Sequence, residues 1–368
     1  MVTAAAPMAM ASKARVSALA GSRQLVDFQT AFDRPYQFMA LGTQATIEWG
    51  AGDEKYLVGS GATPADGSFT TANPHAEGGF LMKHDDYAYG VYLGRRSSAF
   101  NDAVEAAGVK NMMREQNPIN VFYASKMGEW TWGATVKYSN GKDEVAGGTI
   151  LAGGADIVTA EASSLGFAVG ASNGTFDVEL VQGLTGKSTF DKDEVESKGM
   201  TQVGFGYHIN ENMEAYAQYG MVKADITDGT TDSTYEKTGY AVGFVNTVAK
   251  TEDANFFYGV AYASEKIEDE RESSVLPVWM GIEANATSWM VLRGSVKQNI
   301  LLNETKITAA NDKKVNVDSI AFNAGVGFKL GKGMLDANFG TANQGHLSFT
   351  DGAGADKFLS NVAYTYNF

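Results

Sequence analysis

The sequence predicts an all-β fold, a transmembrane antiparallel up-and-down β-barrel of about sixteen strands. Three observations predict it: apolar and polar residues alternate in run after run, the connections alternate between short and long, and the chain ends in an alternating aromatic strand. The 42 glycines, 16 tyrosines and 20 phenylalanines, against 6 prolines, favour strands and tight turns. No apolar run approaches the roughly 18 residues that a membrane-spanning helix needs.

The last run shows the alternation most clearly. Val362, Tyr364, Tyr366 and Phe368 share one face, and the other face is small or polar. A barrel in a bilayer turns its apolar face to lipid and its polar face to a wet interior. The sixteen predicted strands are 44–50, 78–84, 87–94, 118–127, 130–139, 164–172, 175–183, 200–210, 213–224, 238–248, 255–264, 276–286, 288–298, 318–330, 333–342 and 356–368.

The connections between these runs separate by length. The short ones are 85–86, 128–129, 173–174, 211–212, 249–254, 287 and 331–332. The long ones are 51–77, 95–117, 140–163, 184–199, 225–237, 265–275, 299–317 and 343–355. Short periplasmic turns and long extracellular loops are typical of outer-membrane barrels.

Five glycines mark an internal repeat. Gly166, Gly204, Gly243, Gly281 and Gly325 follow one another at steps of 38, 39, 38 and 44 residues, all on the inward-facing parity. Each repeat holds two runs of about ten residues, the length that crosses a membrane at a tilt. The repeat therefore indicates hairpins of a barrel and not the four-stranded blades of a propeller.

The chain divides into three parts. Residues 1–11 are expected to be the remainder of a signal peptide, because they carry no charge and end in the small-x-small triplet Ala9-Met10-Ala11. Residues 12–43 form an N-terminal periplasmic or plug segment, with a short helix expected at 13–21. Residues 44–368 form the transmembrane barrel.

The charge and the motifs exclude several function classes. A formal net charge of −14 argues against nucleic-acid binding, which needs a basic surface. The four histidines have no metal-ligand spacing, and no serine–histidine–carboxylate arrangement is present. We therefore predict no enzyme activity, no catalytic residues, no cofactor and no metal.

Parity places charged side chains inside the barrel. The pore-lining candidates are Glu48, Lys126, Lys137, Asp177, Glu179, Glu214, Glu283, Arg293, Lys297, Lys329 and Asp336. The 95–117 loop, helix-friendly from residue 103 to 115, either folds inward as a constriction or stays exposed. Its charged residues are Arg95, Arg96, Asp102, Glu105, Lys110, Arg114 and Glu115.

Aromatic residues cluster beside the short turns and at the C-terminus. A girdle of aromatic side chains at the inner membrane interface explains this placement. The candidates are Tyr87, Trp130, Trp132, Phe256, Tyr258, Trp289, Phe328 and Phe368.

The ending Phe358-x-x-x-Val362-x-Tyr364-x-Tyr366-x-Phe368 resembles the C-terminal signature of Gram-negative outer-membrane proteins. The resemblance implies a place in the bacterial outer membrane, contact with outer-membrane lipid, and recognition of the Phe368 strand by the barrel-assembly machinery. The strand count and loop asymmetry of 44–368 resemble the general diffusion porins. That second resemblance implies a water-filled channel and a homotrimer.

Three functions follow as alternatives. A porin would pass small hydrophilic solutes and ions, with mild cation preference from an acidic loop at 265–272. The N-terminal stretch 12–43 also resembles the plug of the hydrophobic-substrate transporters, a family with fourteen strands. A plugged transporter of that kind would hold 12–43 inside the barrel. A structural or adhesive surface barrel would only display its loops. The sequence favours the porin.

Overall fold

The computed structural model describes residues 12–50, 75–97, 100–101, 103–104, 112–146, 157–251, 253–307, 313–315, 319–341 and 361–368. Three short helical segments come first: α1 (Lys13–Ala18), α2 (Phe28–Ala31) and a 3₁₀ helix (Pro35–Ala40). The expected signal peptide remnant, 1–11, lies outside the described residues.

The rest of the described chain is a single antiparallel sheet. Its strands are β1 (Gln44–Gly50), β2 (Ala76–Lys83), β3 (Tyr87–Leu93), β4 (Ile119–Met127), β5 (Trp130–Ala146), β6 (Ile157–Ser172), β7 (Phe176–Phe190), β8 (Asp193–Asn210), β9 (Met213–Asp228), β10 (Thr231–Lys250), β11 (Ala254–Ile267), β12 (Arg271–Asn285), β13 (Met290–Ile307), β14 (Lys313–Val315), β15 (Ala321–Leu330), β16 (Gly333–Thr341) and β17 (Asn361–Asn367).

The sheet closes on itself. Strands adjacent in the sequence pair with each other, and β1 pairs with both β2 and β17. The short β14 pairs with the far end of β13, which also pairs directly with β15. Sixteen strands of the described chain therefore form the wall, and the predicted up-and-down barrel is confirmed.

Five predicted long loops are wrong: all described residues of 140–163 and 299–317 lie in strands, and three further loops are almost entirely strand. Residues 184–199, 225–237 and 265–275 mostly continue the flanking strands and turn in a few residues, with Asp191, Gly229 and Asp269 in the left-handed region. In these extensions the outer face is polar and the apolar residues, such as Val195, Ile226 and Tyr235, lie on the inner face, so the lipid-facing alternation stops although the backbone pairing continues. The hairpins from β7 to β13 consequently rise well beyond the apolar part of the wall.

The outer face of the wall is apolar and exposed. Val121 and Val136 are 52% and 51% exposed, whereas their inward neighbours Phe122 and Thr135 are buried. Exposed apolar surface on this scale fits contact with lipid. No helix in the described part of the chain is long and apolar enough to cross a bilayer.

The predicted interface aromatics lie on this outer face. Six of the eight are exposed, and Phe256 and Phe328 are half-buried. Trp289 stacks on Phe328 with ring centroids 5.9 Å apart, beside the turn that precedes β13. These contacts cluster at the short-turn end of the barrel.

The glycine repeat has a packing cause. A Cβ at Gly243 would collide with the ring of Tyr216, and a Cβ at Gly281 with the ring of Phe257. Each glycine therefore leaves space for a large inward side chain of a neighbouring strand. Gly325 instead leaves space for α1, since its Cβ would lie 2.6 Å from that of Ala18.

We predict that Val136→Arg destabilises the barrel by about 2–4 kcal/mol, because it places a charge against hydrocarbon. The matched control is Glu144→Arg, on the same face of β5 but beyond the apolar part, which should change stability by less than about 0.5 kcal/mol. Guanidinium unfolding in phospholipid vesicles measures both. Equal effects of the two substitutions would contradict a lipid-facing wall.

Candidate functional site

Residues 12–43, here called the plug, contact the wall on opposite sides. Ser12 Oγ donates to Asp336 Oδ2 of β16 over 3.1 Å, and Arg15 Nε to Glu283 Oε2 of β12 over 2.8 Å. Arg23 reaches β7 and β9. A segment can contact all these inward side chains only from within the barrel, so the plug lies in the lumen.

Local sequence explains how the plug folds. The Ser12 side chain caps α1 by accepting a hydrogen bond from Arg15 N. Asp27 caps α2 and forms a capping box with Thr30. Pro35 begins the 3₁₀ helix, where its missing N–H costs nothing. The expected helix at 13–21 is therefore shorter than predicted and ends before Gly21, whose φ is +61°.

Arg23 is the most enclosed anchor of the plug. Its Nη1 and Nη2 donate to the two carboxylate oxygens of Glu179 over 2.6 and 3.2 Å, and its Nε to Glu214 Oε1 over 2.6 Å. The guanidinium also lies 5.3 Å from the ring centroid of Tyr216. The side chains of all three charged residues are at most 6% exposed. Such charge-assisted, bidentate bonds are strong and geometrically specific.

A second ionic cluster joins α1 to β12, β13 and β16. Glu283 Oε2 accepts from Arg15 Nε over 2.8 Å and from Arg293 Nε over 2.6 Å. Arg293 Nη1 also donates to Asp336 Oδ1 over 2.6 Å. Wall charges of opposite sign thus pair with each other and with the plug.

A third cluster brings two wall carboxylates together. Gln29 Nε2 donates to Glu48 Oε1 over 2.7 Å and to Glu77 Oε1 over 2.9 Å. Lys13 Nζ lies 2.5 Å from Glu77 Oε2 and Tyr92 is hydrogen bonded to both carboxylates. The cation and the amide of the plug stabilise the two buried carboxyl groups side by side.

Two plug carboxyls have shifted pKa values. Burial raises the pKa of Asp27 to about 6, and Arg15 only partly opposes that effect. Burial also disfavours ionised Asp33, but Lys137 and Arg95 outweigh it and lower the pKa of Asp33 to about 2. Lys137 Nζ lies 2.6 Å from Asp33 Oδ1, so the ionised form holds the plug to β5.

The described residues of the 95–117 loop fold inward against the barrel wall. Phe100, Val104 and Met112 are buried against wall side chains that include Ile226 and Tyr235. Residues 100, 101, 103 and 104 are helical, but 112–115 are not, so the predicted helix is wrong at its end. Of the two placements that the sequence allowed for this loop, the inward one corresponds to these contacts.

The charged residues of this loop differ in placement. Glu115 accepts from Ser164 and from the backbone of Ser97. The Arg95 guanidinium lies 4.6 Å from the ring centroid of Phe32 of the plug. Arg96 and Arg114 have buried side-chain nitrogens. Asp102, Glu105 and Lys110 lie outside the described residues.

The remaining pore-lining candidates lie in the wall or at its rim. Lys329 Nζ donates to Asn285 Oδ1 over 2.7 Å, and Lys297 is half-buried on β13. Lys126 is exposed at the short-turn rim and donates to the carbonyl of Asp85. Parity predicted the direction of the pore-lining side chains. Glu179, Glu214 and Glu283 bind the plug, however, where the sequence predicted contact with water.

Sequence reasoning missed the plug side of this site: Arg15, Arg23, Asp27, Gln29 and Asp33, and the wall residues Glu77 and Tyr92. One signal was present. Inward carboxylates accumulate at the short-turn end of the strands, and residues 12–43 contain three arginines of opposite charge, Arg15, Arg23 and Arg34.

Apolar contacts fill much of the remaining interior. Phe28, Phe32 and Phe38 of the plug pack with Tyr92 and Phe122 of the wall. A second cluster joins Leu19 and Leu25 to wall residues, with Trp279 Nε1 donating to Ser22 Oγ over 2.8 Å. The inner wall therefore offers aromatic and aliphatic surface.

A cavity remains between the 95–117 loop and the wall. Its apolar lining is Phe100, Leu165, Val181, Met200 and Val222, and its polar lining is Ser97, Lys137, Ser164, Gln182, Thr185 and Ser197. The β7–β8 ladder is interrupted beside it, between the pairs Gly183–Met200 and Lys187–Glu196. The cavity is thus bounded by the least regular part of the wall.

The architecture is that of a bacterial outer-membrane β-barrel. No family model and no curated protein matches the chain. Among solved structures it is similar to the toluene transporter TbuX of Ralstonia pickettii, at 11% identity and a TM-score of 0.44 over 97% of this chain and 98% of that one. It is also similar to a Pseudomonas aeruginosa FadL homologue, at 11% identity and a TM-score of 0.45 over 96% and 98%.

A porin refined at 1.8 Å gives 11% identity and a TM-score of 0.38 over 89% of this chain and 99% of that chain. The likeness in each case is one of barrel architecture, and no residue role transfers from it.

We predict that Arg23→Gln loosens the plug by about 3–5 kcal/mol, because it leaves Glu179 and Glu214 as uncompensated buried charges. Hydrogen exchange of the amides of 12–43 measures the loss. The control is Lys142→Gln, which removes an exposed pair with Glu161 and should cost at most about 1 kcal/mol. Unchanged exchange in R23Q would show that Arg23 does not hold the plug.

We also predict a pH dependence through Asp27. Its pKa is about 6 when the plug is docked, against an ordinary 3.8, so the docked state binds the proton more tightly. Docking should therefore weaken as pH rises from about 4 to 6 and change no further above that range. Asp27→Asn should flatten this segment of the profile. Hydrogen exchange, corrected for intrinsic rates, compares the two proteins, and identical profiles would contradict the prediction.

Proposed function

We propose that this protein is a plugged outer-membrane transport barrel for small hydrophobic molecules, in which the plug shifts during passage. The observation that carries the proposal is the occupied lumen, because the plug and the 95–117 loop fill the space that an open channel needs. Passage then requires movement of one of these two elements.

The chemistry of the interior supports an apolar cargo. A diffusion pore has a polar, hydrated wall. Here Tyr92, Phe122, Phe257 and Trp279 are buried inside the barrel, and the cavity beside the 95–117 loop has a mainly apolar lining. Transfer of a small apolar molecule from water to such a surface lowers the free energy, whereas transfer of a hydrophilic solute does not.

The general porin is the second candidate, supported by the sixteen-stranded wall and by inward charges such as Glu283 and Arg293. It requires that the plug leave the lumen for long periods. Cation preference and trimerisation belong to that reading. A purely structural barrel is the third candidate and requires that the plug never move.

Conductance in planar bilayers separates the three. We expect the full chain to be silent or to open only briefly, and the chain lacking 12–43 to conduct steadily. Steady conductance of the full chain, in three equal steps, would favour the trimeric porin and overturn the proposal. Silence of both proteins would favour the structural role.

Transport of an apolar probe tests the cargo class. Cells that express the full chain should accumulate a radiolabelled monoaromatic hydrocarbon faster than cells that express an empty vector, with no change in uptake of a hydrophilic sugar. Faster uptake of the sugar alone would overturn the hydrophobic cargo.

A reversible crosslink tests plug movement. Ala18 and Gly325 face each other, and the chain has no cysteine of its own. Because the two Cβ atoms would start 2.6 Å apart, α1 must shift by about 1 Å for a disulfide to form. We predict that the A18C/G325C protein loses probe uptake when oxidised and regains it when reduced. Either single-cysteine protein is the control, and full uptake by the oxidised pair would show that α1 does not move.

A further inference from the structure

Three inward side chains meet at the short-turn end of β7, β8 and β9. One ligand atom each from Asp177, His208 and Glu214 lies within 4.8 Å of the others, and His208 Nε2 is 2.7 Å from Asp177 Oδ2. The register explains the convergence, because His208 pairs directly with Glu214, and Asp177 pairs with Gly206. Gly206 and His208 occupy the same face of β8.

Gly206 leaves room for the groups that meet in this cluster. A Cβ there would lie 2.9 Å from Glu214 Oε1 and 3.2 Å from both Asp177 Oδ2 and Arg23 Nη2, so the guanidinium of Arg23 also reaches this point. With glycine at this position, the two carboxylates approach each other across β8. Any larger residue would separate them.

Two buried oxygens near the cluster lack partners. Asp177 is 5% exposed, and its Oδ1 has no hydrogen-bond partner among the described residues. Tyr36 is 7% exposed, and its hydroxyl oxygen also has no hydrogen-bond partner among the described residues. Tyr36 packs on Gly170, whose cross-strand partner is Glu179. Unpartnered buried oxygens are costly, and a bound ion is one of the partners that can satisfy them.

The local charge is also unbalanced. The three carboxylates of Asp177, Glu179 and Glu214 outnumber the guanidinium of Arg23 and the imidazole of His208, so at least one negative charge within this cluster is uncompensated. The His208 side chain is 34% exposed, which opens the cluster to the aqueous space at the short-turn end. The site therefore suits a divalent cation that enters from that side.

We propose that Asp177, His208 and Glu214 bind a divalent transition-metal ion of the zinc class, with water completing the coordination. One imidazole and two carboxylates form a mixed nitrogen and oxygen donor set that suits such ions better than magnesium or calcium, which prefer oxygen alone. The ion replaces the hydrogen bond between His208 and Asp177. The proposal departs from the expectation of no metal, which rested on histidine spacing in the sequence.

The site touches the plug through a shared ligand. Arg23 Nε already binds Glu214 Oε1, which leaves Oε2 for the ion. A bound cation then draws electron density from Glu214 and repels the neighbouring guanidinium. Metal binding and Arg23 docking therefore oppose each other, and by linkage the opposition is reciprocal.

Isothermal titration calorimetry of the full chain with ZnCl₂ in detergent tests the site. We expect one ion per chain, and at least a tenfold loss of affinity in His208→Ala and in the isosteric Asp177→Asn. His84→Ala is the matched control, since His84 is an exposed histidine beside the acidic Asp85 and Asp86 at another short turn, and it should bind as the wild type does. Retention of the heat-modifiable band on gels verifies that each variant is folded.

Arg23→Gln gives a result of opposite sign. Removal of the competing charge should tighten zinc binding at least threefold while it loosens the plug. Equal zinc affinity in the wild type, H208A and D177N would overturn the site, as would equal losses in H84A. Tighter binding of Mg²⁺ than of Zn²⁺ would overturn the metal class, and weaker zinc binding in R23Q would overturn the shared use of Glu214. The test does not depend on transport, so it can fail while the proposed function stands.

Discussion

Closure of the sheet is the constraint on which the rest of this molecule depends. In hydrocarbon an unpaired backbone N–H or C=O costs several kcal/mol, so a spanning sheet must pair its first strand with its last. Here β1 pairs with β17 over seven residue pairs, and the hydroxyls of Thr46 and Thr365 lie 2.9 Å apart across that seam. Once the wall is closed, its outer face is committed to lipid and its inner face to whatever the chain can place there.

The chain places its own N-terminal segment, the plug, inside the barrel. Arg15, Arg23 and Lys13 bring positive charge to carboxylates that the wall turns inward, and the phenylalanines of α2 and the 3₁₀ helix cover its aromatic side chains. The two kinds of contact have different consequences. The apolar contacts hold the plug without a defined direction, whereas the ion pairs fix its register against individual strands.

Sequence reasoning reached the barrel because lipid imposes a pattern that one face of each strand must follow. The strand count, the seam and the outward aromatics such as Trp289 follow from that pattern. It did not reach the hairpin extensions beyond the membrane, because there the outer face is polar and apolar residues such as Ile226 and Tyr235 lie on the inner face, so the lipid-facing pattern ends. It predicted the direction of Glu179 and Glu214 but not their partner, since the pairing of Arg23 with them spans more than 150 residues and depends on the closed wall.

The seam also defines where the plug is attached. Phe368 N donates to Thr43 O over 3.1 Å, so the residue that ends the plug is bonded to the residue that ends the chain. The plug therefore enters the lumen at the strand pair that closes the cylinder, so the position of the plug and the closure of the sheet depend on the same few residues.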